Sequence, residues 1–497
     1  MAREAGYPCD LLIENGTVVD GTGAPRFAAD VAVADDRIVA VGPDLAQRFA
    51  AGRRIDAAGQ VVAPGFIDVH THDDMALLAR PEMAFKVSQG VTTLVAGNCG
   101  VSMAPLVVAG QAPAPLDLLG PEPGYFRFDD FAGYVRALAD APPALNCGLL
   151  VGHITLRHRV GMDRFDRAAT GAETAAMAAE VDRAMQQGAI GFSTGLDYPT
   201  SVHSSEAEVT ALASRVKKFG GLCCCHHRNY FEGLDGALEE VFRIGKAAGV
   251  PMIVSHHQCT GADNFGKAPA TLRRIAEARR ETPIGLDAYP YNASSKTLDP
   301  GRAKPGVRIM VTWSTPRPDL AGRMLDDIAE EFGCTAREAA ERILPAGAIY
   351  YQLDEADVQA ILRYPHTMIG SDGLPLDVHP HPRLWGTFPR VLGHYVRELG
   401  LLTLEDAVRR MTSLPAAWFG FADRGVVREG AFADLVLFDP ESVIDTATFE
   451  KPAQAARGIG LVLCNGRVTW QQGAHTGLRP GRVLARDPAV AITTPDR

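Results

Sequence analysis

Between residues 63 and 423 the chain repeats one phrase. A short apolar run is followed by an Ala-rich stretch whose apolar residues fall at i, i+3 and i+4. The runs are GFIDVHTH, VTTLVAGNCG, LNCGLLVGH, AIGFSTGL, GLCCCHHR, PMIVSHH, IGLDAYP and HTMIGSDG. AETAAMAAEVDRAMQQ and ALEEVFRIGKAAG are typical of the stretches between them. Short continuous apolar runs predict strands covered on both faces, and the 3.6-residue period predicts amphipathic helices. Strand and helix alternating eight times predict an α/β fold of (β/α)8 TIM-like type. The competing open, doubly wound sheet lacks its Gly-x-Gly-x-x-Gly turn here. Residues 291–352 break the rhythm with Pro/Gly-rich loops and helical pieces, which predicts an insertion or lid over the barrel mouth.

The two ends of the chain carry a different pattern. LLIENGTVVDG and LVLCNGRVTWQ each set Asn-Gly between β-rich runs, a strong hairpin signal. ADVAVADDRIVAVG and ADLVLFDP add further short strands. Residues 1–62 and 424–483 are therefore expected to build one small β-sandwich domain, with 484–497 as a loosely ordered tail.

Composition narrows the function classes. With 46% hydrophobic residues the chain can bury a large core. Its 59 acidic against 49 basic side chains give a net charge of −10, which disfavours nucleic acid and membrane surfaces as partners. No apolar run is long enough to span a bilayer, and MAREAGYPCDLL lacks the apolar core of a secretory leader. The nine cysteines include the adjacent Cys223, Cys224 and Cys225, a poor disulfide framework, so a reducing cytoplasmic setting is expected.

The chemistry gathers at the ends of the apolar runs. His70 and His72 sit one residue apart, so an extended backbone aims both imidazoles to one side. Cys99, His226, His256 and Asp372 close four other runs. A barrel collects these ends at one mouth. Six candidate ligands meeting there point to a metal, and a thiolate among imidazoles points to zinc. Asp372, in the tight GSDG bend, is the natural acid–base for metal-assisted hydrolysis of an amide. His227 and His257 sit beside ligands and alternate away from them, which suits a supporting role. Asp73 and Asp74 fit an imidazole-orienting role and a solvated turn equally. Cys223–Cys225 fit compact apolar packing.

PGFIDVHTHDD, QGVTTLVAGNCG, GGLCCCHHR, VSHH, LDAYPY and TMIGSDGLP together resemble the D-aminoacylases, the N-acyl-D-amino-acid deacylases of the amidohydrolase superfamily. The resemblance runs from about residue 10 to about 485. It implies one tightly bound zinc on Cys99, His226 and His256, with His70, His72 and Asp372 forming a weaker second site. His256 would also polarise the scissile carbonyl, and Asp372 would activate water. Tyr198, Tyr289 and Ser295 match positions around the substrate, with Arg383 as a further carboxylate partner. The implied activity is release of a free D-amino acid, of an apolar type, from its N-acyl derivative by a monomer or small homo-oligomer.

Two departures bear on the substrate. Gln258 stands where the family carries a lysine for the substrate carboxylate, and Lys296 is the candidate replacement cation. The family's HMRDEG reads HHRNYFEG here, with His227, Asn229 and Tyr230 in place of methionine and two acids. These changes keep open a related amidohydrolase acting on a different amide, carbamoyl or cyclic imide. A barrel that has lost its metal and serves as a scaffold is the third reading, and retention of all six ligand types opposes it.

Overall fold

Each of the eight apolar runs forms a strand in the computed structural model, which describes residues 7–120 and 123–492. In chain order they are Phe66–Asp68, Val91–Ala96, Asn146–Gly152, Gly191–Gly195, Leu222–His226, Met252–Val254, Ile284–Ala288 and Thr367–Ile369. Neighbours pair in parallel in that same order. Side chains from alternate positions, among them Ile67, Val95, Leu150, Cys224, Ile253 and Met368, fill the barrel. Trp418, Phe419 and Phe421 plug its floor. A Cβ on Gly285 would come within 2.9 Å of the Trp418 ring, so only glycine lets that strand pass the plug. Cys223 and Cys225 point outward into the helix layer while Cys224 points in, three compact apolar groups at alternating positions.

First and last strands share no ladder. Their seam is closed where they end: Asp372 N donates to His70 O (2.8 Å), and Ser371 N donates to the Asp68 carboxylate (2.8 Å). Lys86, fully buried, bridges Asp68 (2.7 Å), Ser371 (2.6 Å) and Asp73 (3.2 Å). Asp74 accepts from the backbone N–H groups of Gly97 and Met103. Both aspartates are therefore buried braces of the mouth, neither a solvated turn nor a partner of an imidazole.

Strands from both ends of the chain share one nine-stranded sheet. The long strand Tyr7–Val18 pairs with Phe49–Asp56 along most of its length and with Val61–Pro64 at its end. Its Leu11 and Ile13 pack into one core and Leu12 into another. Of the two Asn-Gly signals, only Asn465–Gly466 turns a hairpin, between Ile459–Cys464 and Arg467–Gln471. Asn15–Gly16 is a bulge inside one continuous strand. Asn15 takes the left-handed conformation (φ 62°), held by bonds to Asp30 and Asp56. The tertiary partner overrides the turn preference there.

The segment 291–352 carries a sheet that its composition did not suggest. Ser294–Thr297, Ala346–Tyr351 and Arg308–Ser314 pair antiparallel, in that order, around a core completed by the helices Leu325–Phe332 and Ala336–Arg342. The tail also differs from expectation over residues 484–492. Leu484 N donates to Cys147 O (2.8 Å), Asp487 N to Gly420 O (2.9 Å), and Leu484 and Ile492 pack on the barrel floor. Residues 493–497 lie outside the described part. No helix among the described residues is long and apolar enough to cross a membrane.

Candidate metal centre and active site

All six candidate ligands meet at the barrel mouth, and most stand just beyond the ladder. The first strand ends at Asp68, two residues before His70. Cys99, His256 and Asp372 likewise follow their strands, with left-handed backbones (φ 53°, 34° and 49°). Non-glycine residues adopt that region at a cost, and such strain concentrates where surroundings fix a side chain for function.

Cys99 Sγ lies 3.2 Å from His70 Nε2 and 3.4 Å from His256 Nε2. His226 Nδ1 lies 3.0 Å from His256 Nε2. Asp372 Oδ1 is 3.3 Å from His72 Nε2 and 3.6 Å from His70 Nε2. Two overlapping groups result, His70–Cys99–His256 and His70–His72–Asp372, each with its candidate ligand atoms within 4.8 Å of one another. His70 belongs to both, whereas the resemblance assigned it to the second alone.

The donor set fits a divalent cation. Burial would raise the Cys99 thiol, but the imidazoles of His70, His256 and His226 outweigh it and hold the group well below its usual value, as a thiolate. His72 moves the other way: burial opposes its proton, yet Asp372 and Cys99 raise it to about 9. His70 and His226 are raised as well, the positive charge a metal ion would bring, while burial lowers His256. Two imidazole nitrogens also face each other, His226 Nδ1 and His256 Nε2, with a thiolate beside them. Neutral imidazoles and a thiolate around one point form a zinc-type set.

Outer partners set the rings. His70 Nδ1 meets the Asp287 carboxylate at 3.2 Å, and the same carboxylate accepts from His256 N at 2.9 Å. His226 Nε2 stands 3.5 Å from Asp197. His256 Nδ1 is 3.1 Å from the Tyr230 hydroxyl. These contacts leave one nitrogen of each ring for the centre. His227 stacks on Tyr230 (centroids 3.8 Å apart), and His257 Nε2 meets Thr271 at 2.8 Å, so neither reaches the centre.

Tyr198, Gln258, Tyr289, Ser295 and Lys296 line one pocket with His72, His226, His256 and Asp372. Among the described residues, Leu118 and Leu374 are its only aliphatic walls. Tyr289 donates to Gln258 Oε1 at 2.5 Å. Lys296 Nζ pairs with Asp197 at 2.7 Å, a partner it shares with Arg302 at 3.1 Å. Arg383 is fully buried and pairs with Asp372 at 2.9 Å, which rules out an exposed structural role. Burial would raise the Asp372 carboxyl, but Arg383 and the imidazoles hold it well below the usual carboxylate range.

Sequence reasoning missed Asp197, Asp287, Lys86 and Arg302. The signal for Asp287 was a lone charge inside the apolar run IGLDAYP, and for Lys86 a lone charge among apolar neighbours in AFKV. Asp197 sits in a turn and Arg302 at the end of the short 3-10 helix Pro300–Arg302, and neither carries such a mark.

Comparison with known proteins places the chain in a family. The amidohydrolase family model matches residues 53–283 and 327–470. A D-aminoacylase from Alcaligenes xylosoxydans xylosoxydans is 50% identical over 489 residues, covering 98% of this chain and 100% of that protein. A solved D-aminoacylase, whose binuclear metal centre is activated by one metal and attenuated by a second, superposes with a TM-score of 0.94 at 51% identity. That match covers 96% of this chain and 100% of the other. The N-acyl-D-glutamate deacylase of Bordetella bronchiseptica was solved with zinc and a phosphonate mimic of the tetrahedral intermediate. It superposes with a TM-score of 0.92 at 47% identity, over 96% of this chain and 100% of its own. The chain belongs to the amidohydrolase family, in its D-aminoacylase (N-acyl-D-amino-acid deacylase) branch.

Proposed function

We propose that the barrel mouth binds zinc and hydrolyses the amide bond of N-acyl-D-amino acids, releasing a carboxylate and a free D-amino acid. The observation that carries this reading is the Cys99 thiolate within 3.4 Å of both His70 and His256, with Asp372 3.3 Å from His72 on the open side. Cys99, His226 and His256 hold the tight ion, with His70 at its edge; His70, His72 and Asp372 offer a weaker second position. Bound zinc supplies Lewis acidity, polarising a carbonyl oxygen and making water acidic enough to ionise near neutral pH.

The chain's own groups do the rest. The Asp372 carboxylate, kept ionised by Arg383, takes a proton from the attacking water and returns it to the departing amide nitrogen. His256, in the same wall, helps polarise the scissile carbonyl. Tyr198, Tyr289, Ser295 and Gln258 line the pocket that takes the substrate, and Arg383, behind that lining, is tied to it through Asp372 and the Ser295 carbonyl. Arg302 divides between Asp197 and the more exposed Asp299 (3.6 Å), while Lys296, with Asp197 as its one ion-pair partner among the described residues, lines the pocket and is the cation offered to the substrate carboxylate.

The pocket's polar lining speaks against a purely apolar side-chain preference, and the altered Gln258 keeps a different amide, carbamoyl or cyclic imide as the second reading. The test is hydrolysis of matched N-acetyl-D- and N-acetyl-L-Met, Leu, Phe, Glu and Asp by metal-depleted and zinc-restored protein. Release from the D series alone, restored by zinc, is expected. Zinc binding without release from either series would move the substrate to the second reading. The setting we propose is the cytoplasm, supported by nine unpaired cysteines. A monomer or small homo-oligomer is the proposed assembly, checked by sedimentation velocity.

A further inference from the structure

His256 differs from the other ligand candidates in what backs it. Carboxylates stand behind His70 (Asp287) and His226 (Asp197), whereas a neutral phenol stands behind His256. Tyr230 is buried, and its hydroxyl lies 3.1 Å from His256 Nδ1 and 3.4 Å from Ser255 O. Its ring lies between His226, nearly perpendicular to it (centroids 5.0 Å apart), and His227, inclined to it by 31° (3.8 Å).

One hydroxyl proton decides the arrangement. If Tyr230 donated to His256 Nδ1, the imidazole proton would sit on Nε2, the nitrogen that faces Cys99 and His226. A nitrogen carrying a proton has no lone pair for a metal. If Tyr230 donates to Ser255 O instead, its oxygen is free to accept from His256 Nδ1–H, and Nε2 keeps its lone pair toward the centre. The bonds then run Nδ1–H to Oη and Oη–H to the backbone carbonyl just before His256. That same residue is in the left-handed region (φ 34°), with its N–H tied to Asp287. A strained backbone needs such over-determination to hold one ring orientation.

We infer that Tyr230 is a positioning residue for the metal centre: its hydroxyl fixes the tautomer and aim of His256, and His227 holds the Tyr230 ring in place by stacking. The inference rests on the zinc reading above. Because the partner is neutral, it orients His256 without adding the negative charge that backs His70 and His226.

The experiment measures zinc affinity of the full-length chain by competition with a chromophoric chelator, for wild type, Tyr230→Phe and Tyr230→Glu. The melting temperature of each metal-free protein is recorded alongside. Loss of an outer partner to a ligating histidine commonly lowers metal affinity about 10- to 100-fold. Tyr230→Phe keeps the ring and its stacking, so that loss is expected with little change in metal-free melting. Tyr230→Glu returns an acceptor to Nδ1 and is expected to bind zinc at least as tightly as wild type. Unchanged affinity in Tyr230→Phe would overturn the inference. So would equal loss in both variants, or a fall in metal-free melting without loss of affinity. Wild type that binds no zinc would instead overturn the zinc reading itself.

Discussion

Lys86 Nζ donates to the Asp68 carboxylate at 2.7 Å beside the barrel seam where the first and last strands share no ladder. The same ammonium reaches Ser371, next to Asp372, and Asp73, next to His72. One buried cation thereby ties together the two strand ends that carry His70, His72 and Asp372. Burial works against its charge, but Asp68 and Asp73 outweigh that and raise the Lys86 amine.

Removing that cation leaves buried carboxylates uncompensated. Lys86→Met should destabilise the protein by about 3–5 kcal/mol, the usual cost of breaking a buried pair from one side. Urea unfolding of the metal-free protein measures it. Ser371→Ala, which removes one acceptor of three, should cost about 1 kcal/mol. Equal effects of the two variants would show that the ammonium is not what closes the seam.

Asp372→Asn tests the proton transfer separately from metal binding. An amide keeps the shape of the bend and its backbone bond to His70, yet accepts no proton from water. Turnover at saturating zinc should fall about 100- to 10,000-fold, the range for a general acid–base. The tight zinc should remain, as measured by metal content after dialysis, because Cys99, His226 and His256 are untouched. Zinc lost together with turnover would instead make Asp372 primarily a ligand.

Much of this was legible in the chain because periodicity reports burial. Eight short apolar runs gave eight barrel strands, and the ligand types at their ends converged. Legibility failed where contacts distant in sequence decide the outcome. Asn15–Gly16 has hairpin chemistry, but Asp30 and Asp56 hold it as a bulge. Ser294–Thr297 is polar, with no apolar alternation, and becomes a strand because Ala346–Tyr351 pairs beside it. The partners Asp197, Asp287 and Tyr230 are ordinary residues until folding brings them behind an imidazole.

A second buried cluster governs acid stability away from the metal. Glu208 accepts from both Arg157 nitrogens Nε and Nη2 and meets His153 Nε2 at 3.0 Å. Burial would raise its carboxyl, but the bonds from His153 and Arg157 win and hold it at about 2. A carboxyl depressed on folding stabilises the native state above its unfolded value, and that stability is lost as pH falls toward the folded value. The expected loss is about 3 kcal/mol between roughly pH 5 and pH 2. Glu208→Gln should remove this part of the pH dependence, which chemical unfolding at stepped pH would show. An unchanged slope would assign acid unfolding to other groups.

The last prediction concerns which cation meets the substrate carboxylate. Lys296 and Arg302 share Asp197, and Arg302 also reaches Asp299 (3.6 Å), so deleting Lys296 leaves Arg302 between two carboxylates and no spare positive charge on that side of the pocket. Lys296→Ala should therefore raise KM for an N-acyl-D-amino acid about 10- to 100-fold, the worth of a charged hydrogen bond. Its kcat should change little, because the lost contact holds the substrate equally before and during reaction. The opposite wall offers a rescue. Gln258 now accepts the Tyr289 hydroxyl proton (2.5 Å). A lysine there cannot accept, so Gln258→Lys frees Tyr289 and places an ammonium beside it. Introduced into Lys296→Ala, that change should recover most of the lost KM, because it restores one cation to the same pocket. Kinetics of the two single variants and the double variant decide the matter: unchanged KM in Lys296→Ala would exclude Lys296 as the carboxylate's partner, and a raised KM that Gln258→Lys fails to lower would tie the carboxylate to the Lys296 side alone.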